Sequence, residues 1–438
     1  MSSNKENTAT KTEARPSLVP KVRFPEFLGA EQWKGVPLSE LVSALDAGVS
    51  VNSGNRPATE NEIGILKTSA VSNGIFEPQE NKVVFDEVER GRVKERVQED
   101  TIIISRMNTP ALVGANAYVE TGLENIYLPD RLWAAKSKPG TSMRFVAAIL
   151  GSDKGRAALS KLAKGSSGSM KNVTKSDVLA FLIEAPSSAE QQKIAECLSS
   201  VDELVAAQAR KVRAFKIHKK GLMQKLFPRE GESQPRLRFP EFQNAGEWEE
   251  QSIGDFGKVV TGSTPSTVQP RFYGGGIPFV SPADISDRRF VDQTKTTLTA
   301  DGFAEARLIR AGSILFVCIG STIGKVAQSI RDCATNQQIN AVVPSSMHSD
   351  GFVYFALSFA SERIALLAGK QAVPIINKSI FSSVRLLVPK LNEQQRIASC
   401  LSSLDALIAA EAQKLEALNS HKKGLMQLLF PSPERSQT

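Results

Sequence analysis

The chain repeats itself, and no other property constrains its fold as tightly. The block Glu190–Pro228 returns without a gap as Glu393–Pro431, at an offset of 203, with 26 of 39 positions identical. A second block, Arg23-Phe24-Pro25-Glu26-Phe27 followed by Glu31-Gln32-Trp33, returns as Arg238-Phe239-Pro240-Glu241-Phe242 followed by Gly246-Glu247-Trp248, at an offset of 215. Between the blocks the halves diverge. The first insert (about Leu28 to Ala189) is longer than the second (about Gln243 to Asn392) by the 12 residues that separate the offsets, and no continuous alignment joins them. Two copies of one unit follow, each holding a repeated frame around its own variable domain. Unlike inserts in a duplicated frame imply two related tasks that differ in detail.

The longer block has the period of a helix. Ile194, Leu198, Val201, Val205, Val212, Phe215, Leu222 and Leu226 are spaced by alternating fours and threes, the seam of a coiled coil. Ile397, Leu401, Leu404, Ile408, Leu415, Leu418, Leu425 and Leu429 keep the same register. Two seam positions are polar in both copies, Gln208 with Glu411 and Lys219 with Lys422. Polar seam residues lower stability but fix register and partner. Gly221 and Gly424 are expected to weaken or bend the last turns, and Phe227-Pro228 and Phe430-Pro431 to end the helices. A helix of this length spans about 58 Å. Its apolar stripe needs cover, and the two copies packing antiparallel about a pseudo-two-fold supply it. The alternative is that each helix only caps its own domain.

The 438 residues suit two or three domains. Residues 1–19 read as a disordered polar arm, 20–187 as a first variable domain and 188–228 as the first spacer helix. A linker (229–236), a second domain (237–390), the second helix (391–431) and a tail (432–438) complete the chain. The variable domains read as α/β (α+β). Thr101–Ile104 and Ser313–Val317 look like buried strands, and short helices are expected near Arg144–Leu150 and Phe352–Leu367. A net charge of +8 permits nucleic-acid binding without establishing it. Neither a membrane-length apolar run nor a secretory signal is seen, and Cys197, Cys318, Cys333 and Cys400 lie far apart. A cytoplasmic protein with reduced thiols is expected.

Catalytic patterns are missing from the sequence. No Pro-Pro pair exists for the base-gripping loop of an amino-methyltransferase, and no glycine-rich cofactor loop accompanies it. Gly320-Ser-Thr-Ile-Gly324-Lys325 has its glycines one residue too close for a phosphate-binding loop, and Val326 follows the lysine. It is expected to be a turn between strands. His218, His348 and His421 assemble neither a triad nor a metal site. No catalytic residue and no metal ligand is assigned.

With these features in place, the chain resembles the DNA-specificity subunits of type I restriction–modification systems. The resemblance rests on the Arg-Phe-Pro-Glu-Phe…Trp opening of each half, the Glu-Gln-Gln-[Lys/Arg]-Ile-Ala start of each helix and its His-Lys-Lys-Gly-Leu-Met-Gln…Leu-Phe-Pro end. Ile104–Pro110, Leu128–Trp133, Thr261–Ser266, Cys318–Lys325 and Asn336–Ala341 also fit family segments. It implies that each variable domain reads one half of a split, asymmetric sequence in double-stranded DNA, while the helices dock two methyltransferase subunits. Those partners would bring S-adenosylmethionine and methylate adenine N6 after base flipping. Restriction subunits, motor–nucleases using ATP and Mg, would join for cleavage. No cofactor is expected in this chain. Competing readings are a coiled-coil scaffold that never touches DNA and a self-contained DNA-modifying enzyme.

Candidate DNA-reading residues in the first domain are Arg106, Asn108, Arg131, Lys164, Lys171 and Asn172. In the second they are Thr322, Lys325, Asn336, Gln337, Gln338, Asn377 and Lys378. Guanidinium and amide groups after a buried strand can address base edges or phosphates, but they equally hold turns and pair with carboxylates. The basic, hydroxyl-rich stretch Lys164–Asn172 suits phosphates or a plain linker. Trp33 and Trp248 are expected to pack against the frame.

Overall fold

The repeat is helical up to its closing Phe-Pro pair in this computed structural model, which describes residues 19–164, 170–369 and 373–431. The polar arm (all but its last residue), residues 165–169 of the basic stretch and the tail 432–438 lie outside the described residues. The long helices are Ser188–Leu226 and Leu391–Leu429. Burial follows the predicted seam. Ile194, Leu198, Val212, Leu226, Ile397, Leu401 and Leu429 are buried, and the intervening seam residues, such as Val201, Phe215, Leu404 and Leu418, are half-buried. Gly221 and Gly424 interrupt neither helix.

Packing divides the chain into residues 1–206 with 416–438, and residues 207–415. The division falls inside the long helices, so each unit holds part of each helix. In unit 1, Ile194 and Leu198 share a core with Leu425, Met426 and Leu429. In unit 2, Leu222, Leu226 and Phe227 share one with Ile397 and Leu401. Within each unit the two helix parts therefore run antiparallel. Within each unit the stripe is covered both by the insert and by the other long helix, so a helix that only caps its own domain does not describe it. The N-terminal half of each helix caps its own insert, and the C-terminal end of the other helix completes that core.

The polar seam positions are paired. In unit 2, Gln208 Nε2 donates to Glu411 Oε2 at 2.7 Å and to the Glu411 carbonyl at 2.8 Å. These two residues occupy the same position in the two copies of the repeat. Lys219 meets Asp405 at 2.5 Å in unit 2, and its repeat equivalent Lys422 meets Asp202 at 2.5 Å in unit 1. Glu411 is 4% exposed. Hydrogen bonds from Gln208, Lys414 and Lys211 lower its carboxyl from 4.5 to about 2. A lowered carboxylate stabilises the fold above its ordinary pKa and loses that contribution as pH falls toward its folded value. Denaturant titrations at stepped pH should therefore show stability declining more steeply below 4.5 in the unaltered chain than in Glu411→Gln.

The inserts share one topology although their sequences do not align. In unit 1 the main sheet runs Val42–Ala47, Leu132–Ser137, Thr101–Ser105, Asn116–Val119 in spatial order. In unit 2 the order is Gly257–Thr261, Ile339–Pro344, Ile314–Val317, Val326–Ser329, with Phe290–Val291 added at the edge. Each insert adds a three-stranded sheet with one parallel pair. A two-stranded ribbon, Lys34–Pro37 with Leu182–Ala185 or Glu249–Ser252 with Arg385–Val388, closes each at its base. Fully buried runs such as Ile102, Ile103 and Ile104, or Ile314, Leu315 and Phe316, form strands because both faces of the sheet are covered. The short helices are Met143–Gly151 and Asp350–Ala365.

The frame closes alike in both units. The Leu237 N–H donates to the Lys225 carbonyl at 2.9 Å, and its equivalent Val22 donates to the Leu428 carbonyl at 3.1 Å. The first bond is made by the residue that follows the internal linker, the second by an N-terminal segment meeting the end of the second long helix.

Candidate nucleic-acid interface

Each insert is clamped to its long helix by the Glu-Gln-Gln motif. Arg23 donates through Nε (2.8 Å) and Nη2 (2.6 Å) to the two carboxylate oxygens of Glu190. Arg238 does the same to Glu393 at 2.8 and 2.7 Å. Trp33 Nε1 adds a long bond to Glu190 at 3.4 Å. The next residue, Gln191 or Gln394, accepts from the backbone N–H of Ser142 (3.3 Å) or Ser349 (2.9 Å), the N-caps of the short insert helices. Trp33 packs edge-on against Phe145 and Phe430, and Trp248 against Phe227 and Phe352, so both serve the frame.

From this base, equivalent loops project beyond the main sheets. In unit 1 the Arg106 N–H donates to the Arg131 carbonyl, and the Arg106 carbonyl accepts from Val173. In unit 2 the Cys318 N–H donates to the Gln338 carbonyl, and the Cys318 carbonyl accepts from Ile376. Three chain segments thus meet at one place in each unit: a hairpin turn, the approach to the last long strand, and the stretch before a short helix. Thr174 caps the helix Lys175–Leu179, and Asn377 caps Lys378–Ser383, each through a side-chain oxygen. The glycine-rich segment 320–325 is the turn between Ile314–Val317 and Val326–Ser329. Gly320 and Gly324 hold φ of 95° and 94°, a backbone region that favours glycine.

The candidate residues of unit 1 come together here. Lys171 pairs with Asn108 and Asn172 with Met107 across a two-residue ribbon, and Lys164 is bridged to Asn172. Arg106 lies over the Trp133 ring at 5.8 Å with Nε unpartnered, and the Asn172 Oδ1 is likewise buried and unpartnered. Asn108 spends its side chain on the turn, accepting from the Thr109 N–H at 2.8 Å and donating to Ser105 at 3.3 Å. Lys164 is paired with Asp177 at 2.9 Å. Arg131 is exposed. Arg156, whose guanidinium burial pushes its pKa down, braces the loop from below through the Ala111 carbonyl at 3.3 Å.

Unit 2 is built mainly from amides. Asn336 Nδ2 donates to Gln338 Oε1 at 2.9 Å, and Gln337 accepts from Thr264 at 2.6 Å. Asn377 is committed as a cap. Thr322 sits within the hairpin turn, its carbonyl accepting from the Lys325 N–H, and Lys325 Nζ donates to the Ile285 carbonyl at 3.0 Å. Lys378 is exposed at the first helical position. Burial pushes Cys318, beneath the turn, up to about 12, so this thiol stays protonated. Lys175 is the equivalent of Lys378 and was not among the sequence candidates. The dipeptide Lys175-Ser176 matches Lys378-Ser379 at the same offset of 203, so the signal was present. Among the described residues no group of three or more His, Cys, Asp or Glu is assembled to hold a metal.

Comparison with known proteins decides the family. The profile of the type I restriction modification DNA specificity domain matches twice, over residues 30–213 and 245–420. The chain belongs to this family. Its two family matches fall one on each frame-and-insert repeat. Among relatives, the HindI specificity subunit of Haemophilus influenzae is 33% identical over 147 residues, 32% of each chain. The EcoR124I/EcoR124II specificity subunit of Escherichia coli is 32% identical over 204 residues, 43% of this chain and 50% of that one. The aligned stretches thus span about a third to a half of these relatives. The specificity-family fold also appears in the S subunit of a type I restriction–modification system from M. genitalium, with a TM-score of 0.58 at 16% identity, covering 95% of this chain and 100% of that one. A chain from a structural study of type I complex assembly and conformational transition gives 0.53 at 19% identity, covering 92% and 98%.

Proposed function

We propose that this specificity-family chain is the non-catalytic DNA-reading subunit of a type I restriction–modification complex. Each unit reads one half of a split, asymmetric sequence. Two methyltransferase partners supply S-adenosylmethionine and adenine-N6 chemistry, and restriction subunits supply ATP- and Mg-dependent cleavage. The carrying observation is the pair of family matches, one on each repeat, together with the equivalent loop clusters on those repeats. Unlike side chains on like loops are what an asymmetric target requires: cations and an aromatic-backed guanidinium in unit 1, amides in unit 2. No helix among the described residues is long and apolar enough to cross a membrane, and we place the complex in the cytoplasm, with the DNA.

Lys175 and Lys378 are exposed cations at equivalent places beside the loop clusters, where they can meet the DNA phosphates. Each alanine substitution should lower the slope of log affinity against log salt by about one and weaken all sequences alike. Fluorescence titration of the complex with duplex DNA at several salt concentrations measures this. Co-expression with a methyltransferase partner should yield one bipartite methylated motif, and calorimetric titration of the isolated chain with S-adenosylmethionine should give no heat. Methylation without this chain, or cofactor binding by it alone, would overturn the reading.

A further inference from the structure

The two inserts are latched to the long helices by arginines that do not correspond in the chain. In unit 1, Arg144 lies in the second position of the helix Met143–Gly151. Its Nη1 donates to Ser199 Oγ at 2.7 Å, its guanidinium lies 4.9 Å from the Tyr118 ring, and Nη2 pairs with Glu120. In unit 2 the helix position equivalent to Arg144 is Gly351, because Ser142 and Ser349 are the caps held by Gln191 and Gln394. No side chain can leave Gly351. Arg289, from the turn before Phe290–Val291, reaches into that space instead. Its Nη1 donates to Ser402 Oγ at 2.7 Å and its Nε to Gln328 at 2.8 Å, and it lies 4.9 Å from the rings of Tyr354 and Phe355. A Cβ on Gly351 would stand 3.1 Å from its Nη2.

The targets correspond although the arginines do not. Ser199 and Ser402 are the same position of the repeat. Tyr118 faces Ile102, and Gln328 faces Ile314, at matching places on matching strands. Two different routes through the chain thus put a guanidinium between the same helix serine and the same strand position. General packing of an apolar core would not demand that coincidence. A task common to both units would: fixing the main sheet, and the reading loops at its end, at one angle to the helix.

We propose that Arg144 and Arg289 are positioning residues for DNA reading, each setting the orientation of its own recognition loops through the serine of the long helix. The inference rests on the functional reading above. Arg144→Met and Ser199→Ala should degrade discrimination in one half of the methylated motif. Arg289→Met and Ser402→Ala should degrade it in the other half. A single mismatch ordinarily costs about 5- to 150-fold. In the affected half that penalty should shrink by about fivefold or more, with the opposite half unchanged.

The test is methylation of the bipartite motif and of its single-mismatch variants by the full complex, with the melting temperature of each variant measured in parallel. Serine-to-alanine variants remove one hydrogen bond each, and they decide the matter if an arginine variant fails to fold. Arg289→Lys, which retains a cation with its donors on a single nitrogen, should recover part of the discrimination lost in Arg289→Met. Unchanged discrimination in folded variants would overturn the proposal. So would an equal loss in both halves, the signature of a purely structural role. If the unaltered chain directs methylation of no split sequence, the functional reading falls first, and that failure is visible before any variant is made.

Discussion

Replacing Glu190 or Glu393 by alanine should lower the stability of the chain by about 2–4 kcal/mol, read as a shift of the denaturant midpoint at constant slope. Each carboxylate is 1–2% exposed and takes a two-pronged bond from an arginine whose side chain is 7% or 13% exposed. The truncation strands that arginine's charge, and breaking such a pair costs far more than the pair contributes over a well-packed apolar substitute. The magnitude lies below the deepest buried pairs because each guanidinium also keeps two carbonyl partners, Ala30 and Glu31 or Ala245 and Gly246. Arg23→Met combined with Glu190→Leu should do less harm than Glu190→Ala alone, since the pair of apolar side chains fills the space and leaves neither charge stranded. An equal loss from both would show that the site matters for its volume and not for its charge.

Phe227→Ala should cost about 3–5 kcal/mol, whereas Phe430→Ala should cost roughly half as much. The two residues are repeat equivalents at the ends of the long helices, yet their surroundings differ. Phe227 is 3% exposed, stacks on Phe359 at 5.3 Å and meets Phe352 at 5.6 Å and Trp248 at 6.4 Å. Phe430 is only half-buried, against Trp33 at 6.2 Å and Phe145 at 5.7 Å. Among the described residues unit 1 offers no counterpart to Phe359, because the helix Met143–Gly151 is far shorter than Asp350–Ala365. Equal losses, measured by chemical denaturation, would mean that the helix ends are interchangeable plugs.

The frame was readable from sequence because its signals are local and doubled. A spacing of three and four that recurs with 26 identities leaves little choice but a long helix, and the polar seam positions Gln208, Glu411, Lys219 and Lys422 all acquire partners there. The shared topology of the inserts was not readable. Strand pairing is set by backbone bonds and burial, which tolerate wholesale replacement of side chains, so Arg106 and Cys318 can occupy one backbone position with nothing in common. The same tolerance hid the latch. Arg144 and Arg289 lie 145 positions apart by their numbers, at neither repeat offset, and only their common targets reveal the relation. For the candidate DNA readers, residue type alone did not say what each side chain bonds to in the fold. Asn108 and Asn377 do lie at the loop clusters, but their side chains hold turns and caps.

The central claim is that two unlike readers on one duplicated frame specify two halves of one target. Exchange of residues 237–390 for the corresponding segment of another specificity-family chain tests it most directly, with single-molecule sequencing of adenine methylation in cells that carry the methyltransferase partner. One half of the motif should change and the other stay as it was. A motif altered in both halves, or in neither, would contradict it.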